Sequence, residues 1–216
     1  VSPAPPSIRE TGGLVRLGGS PAADRHVKRQ FAGLCPVSGR PERVRRVDKQ
    51  YLAVVHGWPE AASFRCDLPL APDPSPLRVR MRVAPSGLLA ATRFEVVERR
   101  IGSVAHGTEG RYALVRCALE TGRQHQIRVH LAALGHGIVG DKLYGRGDDD
   151  LFRRGSDGCL ADADLEVLEL PRHALPAERL TLPDPDAPTA SISFFAPLAS
   201  DIARFWERLA PAAAGG

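Results

Sequence analysis

Residues 120–145 constrain the fold more than any other part of the chain. Thr121-Gly122-Arg123-Gln124 has the form of a capping box, in which Thr121 caps a helix and Gln124 reaches back to the cap's own N–H. Ile127, Leu131 and Leu134 follow at helical spacing, and Gly135 stands where a C′ glycine ends a helix. The spacing predicts a short helix over 124–134 with one apolar stripe, too short to be stable unless docked on a sheet. A glycine turn, a short strand and a second turn, Gly140-Asp141-Lys142-Leu143-Tyr144-Gly145, complete the unit. Arg123, His125, Arg128, His130 and His136 crowd into the same stretch, more basic groups than a helix needs. Arg128 adjoins the apolar stripe, so its guanidinium sits at a partly buried boundary and needs a carboxylate or phosphate partner.

The sheet comes from the flanking sequence. Residues 51–57 read as a strand stopped by Gly57 and Pro59, and 92–97 and 112–119 as further strands. Leu180, Ile192, Phe194 and Phe195 suggest late strands. Residues 77–83 alternate cleanly. Leu77, Val79, Met81 and Val83 fall on one face, and Arg78, Arg80 and Arg82 on the other. The arginine side reads as a solvated strand face or as a surface turned towards RNA.

The remaining segments are less regular. Residues 1–8 form a proline-rich tail, 12–17 a short strand, and 21–31 a helix entered through Ser20-Pro21. Residues 33–46, with Arg40, Arg43, Arg45 and Arg46, read as a basic loop. Four prolines make 69–76 a linker within the domain. The polar residues 146–158, with Asp148-Asp149-Asp150, read as a solvated loop. Asp201 is placed to cap a last helix with Ile202, Phe205, Trp206 and Leu209 as its core stripe, and 213–216 should fray.

Composition narrows the function classes. With 216 residues, 43% of them hydrophobic and 25% charged, a single domain over 1–216 can bury a core. No run approaches the length of a membrane span, and no basic start leads into an apolar signal core, so neither a spanning nor a secreted protein is expected. Cys35, Cys66, Cys117 and Cys159 lie far apart and read as free thiols in a reducing cytoplasm. His125 and His130 fall on different helical faces, and no H-E-x-x-H or C-x-x-C occurs, so no metal site is expected. G-x-S-x-G and P-loop motifs are absent as well. A net charge of +4 permits an anionic partner. Lys28, Lys49 and Lys142 are the only lysines, so arginine carries the basic character. That bias fits a GC-rich coding sequence, and it also fits recognition of phosphates and bases by guanidinium forks.

Residues 121–145 closely resemble the signature of the RluA family of RNA pseudouridine synthases. In that family Thr-Gly-Arg-x-His-Gln-Ile-Arg-Val-His runs on through Leu-Gly-His to Gly-Asp-x-x-Tyr-Gly. A second block, Val47-Asp48-Lys49-Gln50-Tyr51-Leu52-Ala53-Val54-Val55-His56-Gly57, resembles the family's Lys-x-Tyr-Leu-Ala strand. The resemblance runs from about Thr11 to Pro197. It implies an α+β fold, with a mixed, largely antiparallel sheet and flanking helices. It implies isomerisation of a flipped-out uridine in ribosomal or transfer RNA to pseudouridine, with neither cofactor nor metal. The family uses an aspartate as its catalytic residue, an arginine paired with it, and a tyrosine against the base. These last two carry over to Arg128 and Tyr51. Arg123 and His125 would line the cleft or bind phosphate. The setting implied is the cytoplasm, with a monomer as the default.

One position departs from the family. Its motif His-Arg-Leu-Asp-x-x-Thr-Ser-Gly-Leu is matched by Thr11-Gly12-Gly13-Leu14, but the aspartate position holds Ile8, preceded by Pro5-Pro6-Ser7. Glu10, Asp24 and Asp48 lie off that position, and a displacement of even an ångström is costly to catalysis. Isoleucine can neither pair with Arg128 nor attack a ribose carbon, so this chain is expected to be inactive. The rival readings are an RNA-binding remnant without chemistry and a pseudogene product. Position 1 is Val, and the fit breaks abruptly between Ile8 and Arg9, which suggests an incomplete beginning and a frameshift, wrong start or junction. Missing strands would leave an exposed edge and poor solubility. Sequencing the DNA upstream of Arg9 is expected to reveal His-Arg-Leu-Asp; its absence from all frames would refute the frameshift.

Overall fold

The computed structural model describes residues 47–212, apart from 76, 78, 104–108, 147–148 and 185–189. Ile8 and Arg78 therefore lie outside the described residues, as do the tail, strand, helix and basic loop expected before residue 47 and the fraying end at 213–216. In chain order the elements are β1 (Asp48–His56), β2 (Ser63–Cys66), β3 (Leu70–Pro72), β4 (Met81–Val83), β5 (Thr92–Ser103), β6 (Glu109–Leu119), α1 (Gln126–Ala133), α2 (Asp149–Ser156), α3 (Asp162–Leu168), β7 (Ala177–Pro183), β8 (Ser191–Phe195), α4 (Ser200–Glu207) and β9 (Ala210–Pro211).

The main sheet runs β2-β5-β6-β1-β7-β8, with β9 on the edge of β5, and β3 and β4 form a separate hairpin. Among the described residues every strand pair is antiparallel. The fold is α+β, as the resemblance implies. β1 lies inside the sheet, which is why Ala53, Val54 and Val55 are consecutive and all fully buried instead of alternating. The chain also laces β1 to the signature turn, since Val139 N–H donates to the Val54 carbonyl at 2.9 Å. Ile127 and Leu131 of α1 join the main core, together with Phe94, Tyr112, Ile202, Phe205 and Trp206. Val129, on another side of the same helix, packs with Leu70, Met81 and Ala90 under the hairpin. The helix is thus clamped between sheet and hairpin.

Several local expectations are corrected. The capping box does not form: α1 starts at Gln126, and its N-cap is His125 in the left-handed region at φ 52°, with no side-chain cap. Gln126 takes the place expected of Gln124 because its amide reaches the start of β5. The strand over 77–83 shrinks to β4, since Arg80 is drawn away to Leu143 and Asp149. The proline linker contains β3, and the polar excursion folds as α2, with Asp149 and Asp150 at its N-terminus and Arg153 and Arg154 at its C-terminus, as the helix dipole favours. Asp201 does not cap α4. It sits in the first turn and pairs with Arg172 at 2.7 Å.

The C-terminus of α1 forms as expected. His136 N–H reaches the Leu131 carbonyl at 2.8 Å and Gly135 N–H the Ala132 carbonyl at 3.0 Å, the two bonds of a Schellman motif. Among the described residues Cys66, Cys117 and Cys159 are free thiols. On β8, Ile192, Phe194 and Phe195 are exposed.

Gly140 fixes the approach of the signature turn to the α3–β7 connection. Its φ is 75°, and an added Cβ would overlap the Arg172 carbonyl oxygen. Gly140→Ala therefore meets both a left-handed backbone and a backbone clash. It is expected to cost about 3 kcal/mol in urea unfolding; an unchanged midpoint would contradict the packing described.

Candidate active site

Tyr51 and Arg128 come together on one cavity of about 880 Å³. They reach it from different elements. Tyr51 stands on β1 opposite Cys117 of β6, where a bulge between Gln50 and Tyr51 shifts the register with β7 and re-aims the side chain. Burial pushes its phenol pKa up, so the ring is neutral and largely withdrawn from water. Arg128 arrives from α1. Arg123 and His125 line the same space, as do Lys142, Phe152, Arg172 and His173.

Arg128 finds the carboxylate its position demands, and that carboxylate is Asp141 of the glycine turn. Nε donates to Oδ2 and Nη2 to Oδ1, both at 2.7 Å. Asp141 is sealed from solvent (0% side-chain exposure against 12% for Arg128). Its oxygen Oδ1 also accepts from the Leu143 N–H at 2.9 Å and the Tyr144 N–H at 3.0 Å. Burial opposes ionisation of Asp141, but the Arg128 fork and its charge outweigh it and hold the carboxyl below its usual range. Tyr144 lies under Arg128, with the guanidinium 4.9 Å from the ring centre. Its hydroxyl accepts from the Met81 N–H at 2.7 Å and meets His125 Nδ1 at 2.9 Å. Burial, and then the charge of Arg128, lower the His125 pKa to about 4.

Gln126 is the residue that motif reading passed over. Its Oε1 accepts from Thr121 Oγ1 at 2.8 Å and from Arg123 N–H at 2.9 Å. Its Nε2 donates to the Ala91 carbonyl at 3.0 Å and to Thr92 Oγ1 at 2.9 Å. Four bonds on one buried amide stitch the signature loop to β5. Glutamine next to the apolar stripe of the helix was the available signal, because a buried amide must find partners. His130 is satisfied within the core, between Thr92 Oγ1 and the Leu68 carbonyl, each at 3.0 Å. His136 Nδ1 donates to the His56 carbonyl at 3.1 Å, the backbone role expected of a turn histidine. Among the described residues no group of three His, Cys, Asp or Glu is placed to hold a metal ion, and no helix is long and apolar enough to cross a membrane.

Of the three arginines expected on one face of 77–83, only Arg80 and Arg82 lie among the described residues. Arg80 donates to the Leu143 carbonyl at 3.0 Å and pairs with Asp149 at 2.9 Å, which ties the hairpin to the turn and to α2. Arg82 is exposed on β4, and Arg78 is outside the described residues.

A family model described as RNA pseudouridylate synthase matches residues 9–133. The match begins one residue after Ile8. Ribosomal large subunit pseudouridine synthase D of Nitrosomonas europaea is 40% identical over 141 residues, 65% of this chain and 35% of that protein. Dual-specificity RNA pseudouridine synthase RluA of Escherichia coli K12 is 39% identical over 137 residues, 62% of this chain and 52% of that protein. The chain thus spans about half or less of these two curated relatives. The solved human RNA Pseudouridylate Synthase Domain Containing 1 has the same fold, with a TM-score of 0.62 at 24% identity, over 90% of this chain and 67% of that one. The fold and its signature helix define an RNA pseudouridine synthase domain. The chain belongs to the RluA family of these proteins.

His56 and His125 are both partly buried and both lowered from 6.5 to about 4, first by burial and then by the charge of Arg146 and of Arg128 respectively. Between those values the unfolded chain binds more protons than the folded one, so their contribution is intact above pH 6.5 and is lost as pH falls towards 4. Melting temperature is expected to drop across that window, and His56→Asn is expected to flatten the drop. A melt independent of pH there would contradict neutral burial of both rings.

Proposed function

We propose that the cavity receives a uridine flipped out of an RNA strand, and that the reaction this domain is built for is isomerisation of that uridine to pseudouridine. The observation that carries the reading is the meeting of Tyr51 and Arg128, from two separate family blocks, on one cavity lined by basic groups. In the isomerisation the N1–C1′ bond breaks, C5 bonds to C1′, the C5 proton leaves and N1 gains one, so nothing is consumed. Tyr51 offers a flat face for the base and a phenol near the proton that departs. Arg128, fixed by Asp141, offers a positive charge for an attacking carboxylate. Arg123 and His125 meet the RNA backbone at the cavity wall. Ribosomal or transfer RNA is the substrate class and the cytoplasm the setting of this reading; the name of the Nitrosomonas europaea relative specifies the ribosomal large subunit.

The same reading assigns this chain RNA binding without turnover. Ile8 supplies no carboxylate, and Asp141, sealed behind Arg128, positions that arginine and does not reach a substrate. The test uses transcripts of ribosomal and transfer RNA tritiated at uridine C5, from which isomerisation releases tritium. The chain as it stands is expected to release none above background. Ile8→Asp is expected to raise release, and Tyr51→Ala or Arg128→Ala on that background to lower it by about a hundredfold or more. Salt-sensitive binding with an Ile8→Asp variant that stays silent would favour the RNA-binding reading alone. Failure to bind any of these RNAs would overturn the proposal.

A further inference from the structure

Leu88 and Leu89 are 62% and 75% exposed, two large apolar side chains in succession turned to solvent. Their loop is held firmly. Gly87 N–H closes a turn onto the Ala84 carbonyl at 2.8 Å, with Pro85 at the second position, where its fixed φ suits a turn. Leu88 exchanges both backbone bonds with Leu70, at 2.8 and 3.0 Å. Gly87 lies flat on that strand, where an added Cβ would come within 2.6 Å of the Leu70 carbonyl carbon and oxygen. The exposure is therefore a built feature of an anchored tip.

The tip is joined to the cavity through one lining residue. Arg123, which lines the cavity, donates from Nε to the Leu89 carbonyl at 3.0 Å. Two residues on, the Ala91 N–H donates to Thr121 Oγ1 at 2.9 Å, and the Ala91 carbonyl accepts from Gln126. Among the described residues the charged lining comprises Arg123, Arg128, Lys142 and Arg172, with histidines and no carboxylate. Arg128 and Arg172 are held by Asp141 and Asp201, so Arg123, on the Leu89 carbonyl, is the guanidinium next to the apolar tip, and a guanidinium beside an apolar surface matches a strand that carries phosphates along one side and base faces along the other. Extruding one nucleotide leaves its neighbours unstacked, and an apolar side chain beside the gap replaces part of the lost stacking.

We infer that Leu88 and Leu89 form a ledge on which the bases flanking the target uridine pack. This rests on the RNA reading above and adds to it a contact that no charge makes. The test measures binding of the full chain to a fluorescein-labelled RNA hairpin with uridines in its loop, by anisotropy, across a salt series. Leu88→Ser/Leu89→Ser is expected to weaken binding about tenfold. The slope of log K against log salt is expected to stay the same, because no phosphate contact is lost. Arg123→Gln is expected instead to reduce that slope by about 0.7. A thermal melt of the double variant, expected unchanged, separates lost contact from lost fold. Unaltered affinity in the double variant, or a slope that falls with it, overturns the ledge alone. No binding by the parent chain overturns the ledge and the RNA reading together. A concentration-dependent mass in the parent that vanishes in the double variant assigns the leucines to self-association and overturns the ledge.

Discussion

Arg128 and Asp141 are thirteen residues apart and meet as a two-pronged ion pair whose carboxylate is closed to water. Burying a carboxylate alone would cost several kcal/mol, at the order of magnitude general for proteins. Four donors offset that cost here: two from the guanidinium and two from the backbone of the following turn. The pair therefore fixes the turn and the helix at once. It also sets Tyr144 beneath Arg128, and Tyr144 in turn holds Met81 of the hairpin and His125 at the helix start. Helix, turn and hairpin are joined through one buried charge.

This arrangement gives Arg128 the anion that its place on the helix requires. The reading of the helix placed a guanidinium at a buried boundary and required an anion. The structure supplies Asp141, a residue of the same signature. A carboxylate brought by another segment would meet an arginine already oriented, and pre-orientation of that kind is what makes bidentate pairs effective in sites.

The abundance of arginine has a mostly intramolecular explanation. Arg65 and Arg93 stand opposite each other on β2 and β5 and share Glu120, at 3.1 and 2.6 Å. Arg116 lies between Glu95 and Glu178, Arg154 pairs with Asp164, and Arg172 with Asp201. Such exposed pairs add little stability individually, but they neutralise the sheet face where they stand. The same holds at the cavity, where Arg128 pairs with Asp141, Arg172 with Asp201, and the buried Lys142 ammonium donates to the Pro171 carbonyl.

Much was legible in the linear chain. Local rules gave the strand at Tyr51–His56, the Schellman end at Gly135 and the apolar stripe of Ile127 and Leu131, because periodicity and a left-handed glycine act within a few residues. The two motif blocks gave the family and nominated Tyr51 and Arg128. Other features depended on contacts between distant segments. Gln126, not Gln124, became the clamp because β5 brought Ala91 and Thr92 to its amide. The alternation at 77–83 yielded only three residues of strand because Arg80 gained more from Leu143 and Asp149 than from a solvated face. His125 and His130, alike in sequence, separated into a cavity-lining ring and a core ring according to what packed against each. The sequence by itself determined which elements could exist and which family they belong to, since propensity, capping and motif spacing are local. Only the tertiary structure decided which partner each buried polar group took, because that choice depends on which distant segment excludes water from it first.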